Sequence, residues 1–215
     1  MNTVAFPAMK RQLIAILRGL KPEEAEGMVS VLIEHGMTAI EIPLNSPEPF
    51  RSIEIAVKKA PRGILVGAGT VLTTQDVERL HDVGGRLMVS PNVDPEVIAS
   101  AGERSMVTLP GVFTATEALL AAKAGASGLK FFPASVLGPS GISAIRAVLP
   151  ADLMIAAVGG ISDKSFAEYT RTGIHAFGLG TSLYKPGMTA AEVAARAKAT
   201  VQAYDMSIQA LNASA

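Results

Sequence analysis

The stretch Gly128-Leu129-Lys130-Phe131-Phe132-Pro133 places one charged side chain inside a short apolar run. A run of this length, bounded by glycine and proline, predicts a buried β-strand. An ammonium in such a strand is costly to charge, so it must be paired or have a lowered pKa. A neutral lysine amine is a nucleophile that can form a Schiff base with a carbonyl. A strand-end lysine that only reaches solvent is the structural alternative at this point.

The chain on both sides of this strand repeats one pattern. Short apolar runs alternate with longer segments of helical periodicity, several of which begin at a capping residue or proline and end at glycine. The predicted strands are Leu13–Leu17, Thr38–Ile42, Ile64–Ala68, Leu87–Ser90, Met106–Leu109, Gly128–Phe132, Met154–Val158 and Ala176–Gly180. The predicted helices are Pro22–His35, Pro47–Lys59, Thr73–Val83, Pro95–Gly102, Thr114–Ala124, Gly141–Leu149, Asp163–Thr172 and Thr189 to about Gln209.

Eight strand–helix units of roughly 25–30 residues are typical of a TIM barrel near the lower end of its size range. A doubly wound sheet also alternates strands and helices, but it usually has fewer strands, and the even spacing here leaves no room for a second domain. We therefore predict an α/β fold in which residues 1–215 form one (β/α)8 TIM-barrel domain.

Composition narrows the class of protein. The 215 residues are 49% hydrophobic, and 19 basic residues balance 19 acidic ones, with no basic block that would indicate a nucleic-acid partner. The absence of cysteine excludes disulfides and thiolate metal sites, and it fits a reducing cytoplasm. The segment Met1–Lys10 has no apolar core of a signal peptide, and no run of about 18 apolar residues predicts a membrane span.

The barrel prediction brings two opposite charges together. Strand alternation turns Glu41 inward when Ile40 and Ile42 point outward, and it turns Lys130 inward in the same way. The second and sixth strands lie opposite each other in an eight-stranded closure, and alternate strands contribute to the same interior layer. Glu41 and Lys130 should therefore face each other near the carboxyl ends of the strands, where barrel enzymes carry their active sites. A structural buried ion pair is the alternative.

The protonation states of this pair depend on competing effects. Apolar neighbours such as Phe132 and a nearby cation such as Arg18 would lower the pKa of Lys130, whereas a Glu41 carboxylate would raise it. A carboxyl group in an apolar site has a raised pKa and can both accept and return a proton, which suits Glu41 to general acid–base catalysis. The sequence does not decide which effect is larger.

Two glycine-rich segments predict an anion site. Val158-Gly159-Gly160-Ile161-Ser162 and Gly178-Leu179-Gly180-Thr181-Ser182 follow the seventh and eighth predicted strands. Glycines let backbone N–H groups approach an anion, and phosphate sites of TIM barrels commonly lie after these two strands. Tight loops between strands and helices also need glycine, so this pattern alone is weak.

Two further side chains follow predicted strands at the same end. Arg18 offers a bidentate fork for a carboxylate, and Thr70 offers a hydroxyl. A solvated loop arginine and a helix-capping threonine are the structural alternatives. The three histidines, His35, His81 and His175, are scattered without ligand spacing, so we predict no metal site.

The ordered motifs resemble those of the KDPG/KHG aldolases over nearly the whole chain. The matching stretches are Ile14–Gly19, Glu41–Ser46, Gly67–Leu72, Ser90–Asn92, Leu109–Gly111, Leu129–Pro133, Val158–Ile161 and Gly180-Thr181. The resemblance implies a metal-independent class I aldolase with a TIM-barrel fold, usually a homotrimer. It implies no cofactor beyond the imine that a lysine forms with the substrate.

The resemblance assigns roles to the residues that match the motifs of the family. Lys130 corresponds to the Schiff-base lysine and Glu41 to the glutamate that carries protons. Arg18 and Thr70 match positions that hold the pyruvyl carboxylate. The lining and phosphate-binding positions correspond to Pro91, Phe132, Gly159, Gly160, Gly180 and Thr181, where threonine keeps the hydroxyl of the more common serine.

This sequence departs from the motifs of gluconate-type members at two stretches that bear on the choice of substrate. Gluconate-type members of the family typically show Thr-Leu-Arg-Thr and Pro-Thr-Gly-Gly where this chain has Pro43-Leu44-Asn45-Ser46 and Ala157-Val158-Gly159-Gly160. Asn45 and Val158 should therefore change how the C4 hydroxyl is held, and the pattern is similar to that of galactonate-type members. The expected substrate is a phosphorylated keto sugar acid that yields pyruvate and glyceraldehyde 3-phosphate. The gluconate epimer, 4-hydroxy-2-oxoglutarate, a phosphosugar isomerase or epimerase barrel and a non-catalytic phosphosugar-binding scaffold stay open as alternatives.

Overall fold

A computed structural model describes residues 3–213 as a parallel β-barrel surrounded by helices. The strands are β1 Leu13–Ile16, β2 Ala39–Pro43, β3 Leu65–Gly69, β4 Leu87–Val89, β5 Val107–Leu109, β6 Gly111–Val112, β7 Gly128–Phe131, β8 Met154–Val158 and β9 Ala176–Leu179. The helices are α1 Pro22–Glu34, α2 Pro49–Lys59, α3 Thr74–Asp82, α4 Pro95–Glu103, α5 Ala115–Lys123, α6 Ala134–Arg146, α7 Phe166–Thr170 and α8 Ala190–Ala213.

The strands follow one another around the sheet in the order β5-β4-β3-β2-β1-β9-β8-β7-β6, and all adjacent pairs are parallel. The first strand therefore lies between β2 and the last strand, as a barrel requires. Helices connect successive strands except at the short β5–β6 junction. The predicted TIM-barrel class is confirmed.

The fifth predicted strand is divided in two, which is why nine strand segments occupy eight barrel positions. Pro110 has no N–H to donate to a ladder, so β5 pairs with β4 and, after the proline, β6 pairs with β7. The Pro110 carbonyl still accepts a hydrogen bond from the Lys130 amide at 2.9 Å. Before the proline, Thr108 of β5 is joined to Ser127, the residue preceding β7, because the amide of each donates to the hydroxyl of the other at 2.9 Å.

Helix starts were less well predicted than strands. α2 begins at Pro49 rather than at Pro47, and α7 is shorter than predicted. The helix predicted from Gly141 begins at Ala134 and bends at Gly138, whose φ of 70° is left-handed and which precedes Pro139. Asp94 and Thr114 cap α4 and α5, because the side chain of each accepts a hydrogen bond from the first turn of its helix.

The two faces of each strand pack against different parts of the protein. Residues such as Ile40 and Phe131 point outward and pack with helix residues in the main core. A smaller apolar cluster fills the lower barrel interior and includes Ile14, Ala39 and Leu109. The alternation predicted for β2 and β7 is therefore confirmed, and it directs Glu41 and Lys130 into the barrel.

Hydrogen bonds join the C-terminal helix, α8, to the segment that precedes β1. Arg11, just before β1, donates two hydrogen bonds of 2.7 Å to the Asp205 carboxylate. The neighbouring Tyr204 hydroxyl accepts from the Gln12 amide at 3.2 Å and donates to the His175 carbonyl at 3.1 Å. No helix within residues 3–213 is both long and apolar enough to cross a membrane.

Gly67 in β3 provides a test of how tightly the barrel interior is packed. A methyl group at this position would overlap the backbone carbonyl of Leu87 in β4, which cannot move without disturbing the ladder. We expect Gly67→Ala to lower the free energy of unfolding by about 2–3 kcal/mol in denaturant titrations. Gly27→Ala is the control, because nothing lies within 4 Å of that position on α1, and it should stabilise the protein by about 0.5–1 kcal/mol. Equal effects of the two variants would contradict this account.

Candidate active site

A cavity of about 410 Å³ opens at the carboxyl ends of the barrel strands. Its wall contains every predicted site residue except Asn45. The predicted residues that line it are Arg18, Glu41, Thr70, Pro91, Lys130, Phe132, Val158, Gly159, Gly160, Gly180 and Thr181. Residues from seven of the eight barrel positions thus converge on one volume.

Lys130 projects into this cavity from β7 and is only 7% exposed. Its Nζ lies 5.0 Å from the centre of the Phe132 ring. Burial lowers the pKa of Lys130, the negative charge of Glu41 opposes this shift, and the positive charge of Arg18 adds to it. Burial is the largest of these effects, so the neutral amine is favoured relative to a solvated lysine.

Glu41 projects from β2 and is 3% exposed. Burial raises the pKa of Glu41 to about 7, against the opposing charges of Lys130 and Arg18. Among residues 3–213, nothing donates a hydrogen bond to the buried Oε2 atom. A methyl group at Gly69 would overlap this carboxyl, so the glycine of β3 provides its space.

Glu41 and Lys130 do not form a close ion pair. No ion pair with an N···O distance of 4.0 Å or less joins Glu41 to either Lys130 or Arg18 in the described part of the chain. The pKa of each group is consequently dominated by lost hydration, which favours the neutral form of both. An amine with a lowered pKa in the same cavity as a carboxyl group whose pKa is about 7 is suited to attack a carbonyl and to exchange a proton.

Arg18 lies at the mouth of the cavity, where Asn45 fixes its orientation. The Arg18 Nη1 atom donates a hydrogen bond to Asn45 Oδ1. The Gly19 amide donates to Ser46 Oγ at 2.9 Å, so the segments after β1 and β2 are joined twice. Asn45, predicted as a substrate-binding residue, therefore contacts Arg18 but is not part of the cavity wall.

Thr70 follows β3 with a left-handed φ of 57°. A β-branched residue in this region is a conformational outlier, at a cost on the order of 1–3 kcal/mol. The side chain lines the cavity on the same side as Pro91, which follows β4. The strain is concentrated at a position that the sequence already identified as a candidate binding residue.

The two predicted glycine segments meet at the opposite part of the cavity. Gly159 and Gly160 both have left-handed φ values, 92° and 74°. A methyl group on Gly159 would lie 3.0 Å from the Phe132 ring, so this loop packs against the residue beside Lys130. Ser182 Oγ donates to the Ile161 carbonyl at 2.9 Å and joins the loops after β8 and β9.

Several residues of the wall were not among the individual residues predicted for the site, although Ile161 and Gly178 belong to the two predicted glycine segments. These wall residues are Ile16, Gly19, Ile161, Gly178, Tyr184, Lys185 and Pro186. Tyr184 is buried, and burial together with the nearby Glu24 carboxylate raises its pKa to about 12. A cation soon after the second glycine segment was the available signal for Lys185, since anion sites often combine the two.

The described residues contain no group of three or more histidine, aspartate or glutamate side chains arranged to hold a metal ion. The three histidines, His35, His81 and His175, also lie apart from the cavity, because none of them is part of its wall. His175 lies just before β9, and burial and the charge of Arg146 lower its pKa.

Comparisons with known proteins agree with this geometry. The family model of the KDPG and KHG aldolases matches residues 7–199. A probable 2-dehydro-3-deoxy-6-phosphogalactonate aldolase of Rhizobium meliloti is 73% identical over 95% of this chain and 97% of its own length. The 2-dehydro-3-deoxy-6-phosphogalactonate aldolase of Escherichia coli is 44% identical over 93% and 98%.

A solved structure of native KDPGal superposes with a TM-score of 0.92 at 43% identity, covering 95% of this chain and 99% of that one. The family match spans most of the chain, and the two sequence relatives extend over nearly all of it. The protein with this barrel and this buried lysine–glutamate pair belongs to the family of KDPG and KHG aldolases.

Proposed function

We propose that this protein is a class I aldolase that cleaves 2-dehydro-3-deoxy-6-phosphogalactonate to pyruvate and glyceraldehyde 3-phosphate. The observation that carries the proposal is the burial of Lys130 and Glu41 in one cavity with both pKa values shifted toward the neutral forms. Membership of the aldolase family, and two relatives named for this substrate, support it.

The first chemical step belongs to Lys130. The neutral Nζ attacks the C2 ketone of the keto sugar acid, and loss of water gives an iminium that accepts electrons from the C3–C4 bond. The low exposure of Lys130 and its separation from the Glu41 carboxylate both favour the unprotonated amine. No metal or additional cofactor is required in this scheme, because the iminium is itself the electron acceptor.

Glu41 carries the protons of the reaction. Directly or through a water, its carboxylate accepts the proton of the C4 hydroxyl as the C3–C4 bond breaks and glyceraldehyde 3-phosphate leaves. The resulting carboxylic acid then protonates the enamine at C3, and hydrolysis releases pyruvate. A pKa of about 7 keeps both forms of Glu41 accessible near neutral pH.

The two anionic ends of the substrate extend to different parts of the cavity. Arg18, oriented by Asn45, and Thr70 bind the carboxylate near C2. Pro91 and Phe132 form apolar walls beside the reacting carbons. The phosphate lies against the loops that contain Gly159, Gly160, Gly180 and Thr181, whose backbone N–H groups suit an anion.

The cytoplasmic location and the homotrimer implied by the family resemblance stay predictions. Exposed apolar side chains on α5 and α6, namely Leu119, Leu120 and Val136, suit a subunit contact. Sedimentation analysis would determine the oligomeric state.

Trapping with borohydride tests the covalent step. Reduction in the presence of pyruvate should add a stable pyruvyl group to Lys130, detected by peptide mass spectrometry. Lys130→Ala should abolish both the adduct and turnover, because the nucleophile is gone. Lys123→Ala, which removes an exposed lysine on α5, should retain both. Turnover by Lys130→Ala at the rate of the unsubstituted protein would refute the mechanism.

The choice of substrate rests on Val158 and on the absence of an arginine at Asn45. We expect kcat/KM to be higher for the galactonate epimer than for the gluconate epimer, and higher for both than for 4-hydroxy-2-oxoglutarate. Steady-state kinetics on the three compounds check this order. A preference for the gluconate epimer would keep the aldolase chemistry and reject the proposed substrate.

The raised pKa of Glu41 predicts a pH-dependent stability. The folded state binds more protons than the unfolded state between the ordinary glutamate pKa of 4.5 and the raised pKa of about 7, so this group lowers stability as pH rises through that window. Glu41→Gln removes this loss. The free energy of unfolding of the variant, relative to that of the unsubstituted protein, should therefore rise by about 3 kcal/mol from pH 4.5 to above pH 7. Denaturant titrations at several pH values measure the difference.

The same variant should slow turnover by roughly 10²–10⁴-fold while leaving some pyruvate trapping, because the lysine remains. Glu103→Gln, on the exposed surface of α4, is the control for losing one carboxylate. A stability difference between Glu41→Gln and the unsubstituted protein that does not vary with pH would contradict the assigned protonation of Glu41.

A further inference from the structure

The cavity has four charged side chains within residues 3–213, and two of them are cations besides Lys130. Its charged wall residues are Arg18, Glu41, Lys130 and Lys185. The charge of Arg18 shifts the pKa values of both Glu41 and Lys130, whereas Lys185 is absent from the causes of either shift. Arg18 directly follows β1, whereas Lys185 lies beyond the second glycine segment, which follows β9.

The backbone around Lys185 is fixed by contacts on both sides. The Tyr184 amide donates to the Gly180 carbonyl at 2.9 Å, and the Tyr184 side chain is buried. Pro186 covers Gly19, where a methyl group would lie 2.6 Å from the proline Cγ. The Lys185 amide contacts Met188 Sδ at 3.3 Å. The segment therefore holds Lys185 at the cavity rim, directly after the second glycine loop.

The ammonium of Lys185 has no carboxylate within 4.0 Å in the described part of the chain. Arg196, the cation that approaches the same loop from α8, is already engaged, because it donates to the carbonyls of Thr181 and Ser182. Lys185 is thus an exposed cation whose charge is available to a ligand in the cavity.

The glycine loops provide hydrogen-bond donors without net charge. The Gly160 N–H, for example, has no acceptor among the residues that the structure describes. A phosphate monoester carries a charge of about −1.5 to −2 at pH 7. Binding such a group only through amides leaves its charge uncompensated, and a lysine at the rim supplies a compact positive charge.

We infer that Lys185 binds the phosphate of the substrate and gives the enzyme its preference for phosphorylated keto sugar acids over unphosphorylated ones. The inference rests on the proposed function, since it adds a specificity-determining residue to the same site. Lys185 acts on the remote end of the substrate, so its contribution should be equal in the ground state and the transition state.

Steady-state kinetics provide the first test. Lys185→Gln should raise KM for the phosphorylated substrate at least about tenfold, with kcat changing less than about threefold, because uniform binding is lost. Its preference for phosphorylated over unphosphorylated 2-keto-3-deoxygalactonate, as a ratio of kcat/KM, should fall by the same factor. Lys185→Arg should restore most of the affinity, and Lys198→Gln on the exposed face of α8 is the charge-matched control.

Inorganic phosphate provides a second test that needs no turnover. In an NMR titration that follows the Gly160 amide, Lys185→Gln should weaken phosphate binding severalfold relative to the unsubstituted protein and to Lys198→Gln. Unchanged phosphate affinity and unchanged KM in Lys185→Gln would overturn the inference. Failure of the unsubstituted protein to trap pyruvate would instead overturn the proposed function, so the two failures are distinguishable.

Discussion

The loss of hydration at two ionisable groups in one apolar cavity is the constraint on which the site depends. Glu41 and Lys130 carry opposite charges, and in direct contact each would stabilise the charged form of the other. In this barrel they share a cavity without a close ion pair, and burial is the largest effect on the pKa of both. The roles proposed for the two groups, a nucleophilic amine and a carboxyl group that exchanges protons, depend on that separation.

The barrel holds this arrangement at some cost in stability. The Glu41 Oε2 atom has no donor among the described residues, and Thr70 is left-handed despite its branched side chain. The extensive apolar packing between the strands and the outer helices offsets such costs. Gly67 and Gly69 keep the interior of β3 open, since a methyl group at either position would overlap β4 or the Glu41 carboxyl.

The carboxyl ends of the strands and the segments that follow them supply the groups proposed to act on different parts of the substrate. The lysine and the glutamate lie on barrel strands, where alternation and hydrogen bonding fix their direction. The groups proposed to hold the two anions lie in the segments that follow the strands, and contacts such as Arg18–Asn45 and Ser182–Ile161 join neighbouring segments. Rigid strands thus position the chemistry, while the connecting loops determine what is bound.

The sequence by itself determined the parallel barrel, the inward direction of Glu41 and Lys130, and the positions of the glycine loops, because these depend on local periodicity and on residue type. It did not predict the division at Pro110 into β5 and β6 or the start of α6 at Ala134, since both reflect how a segment fits its neighbours. Only the tertiary structure showed that burial outweighs charge attraction, that Asn45 bonds to Arg18 without lining the cavity, and that Lys185 is part of the cavity wall. Those outcomes depend on distances between segments far apart in the chain, which no local pattern encodes.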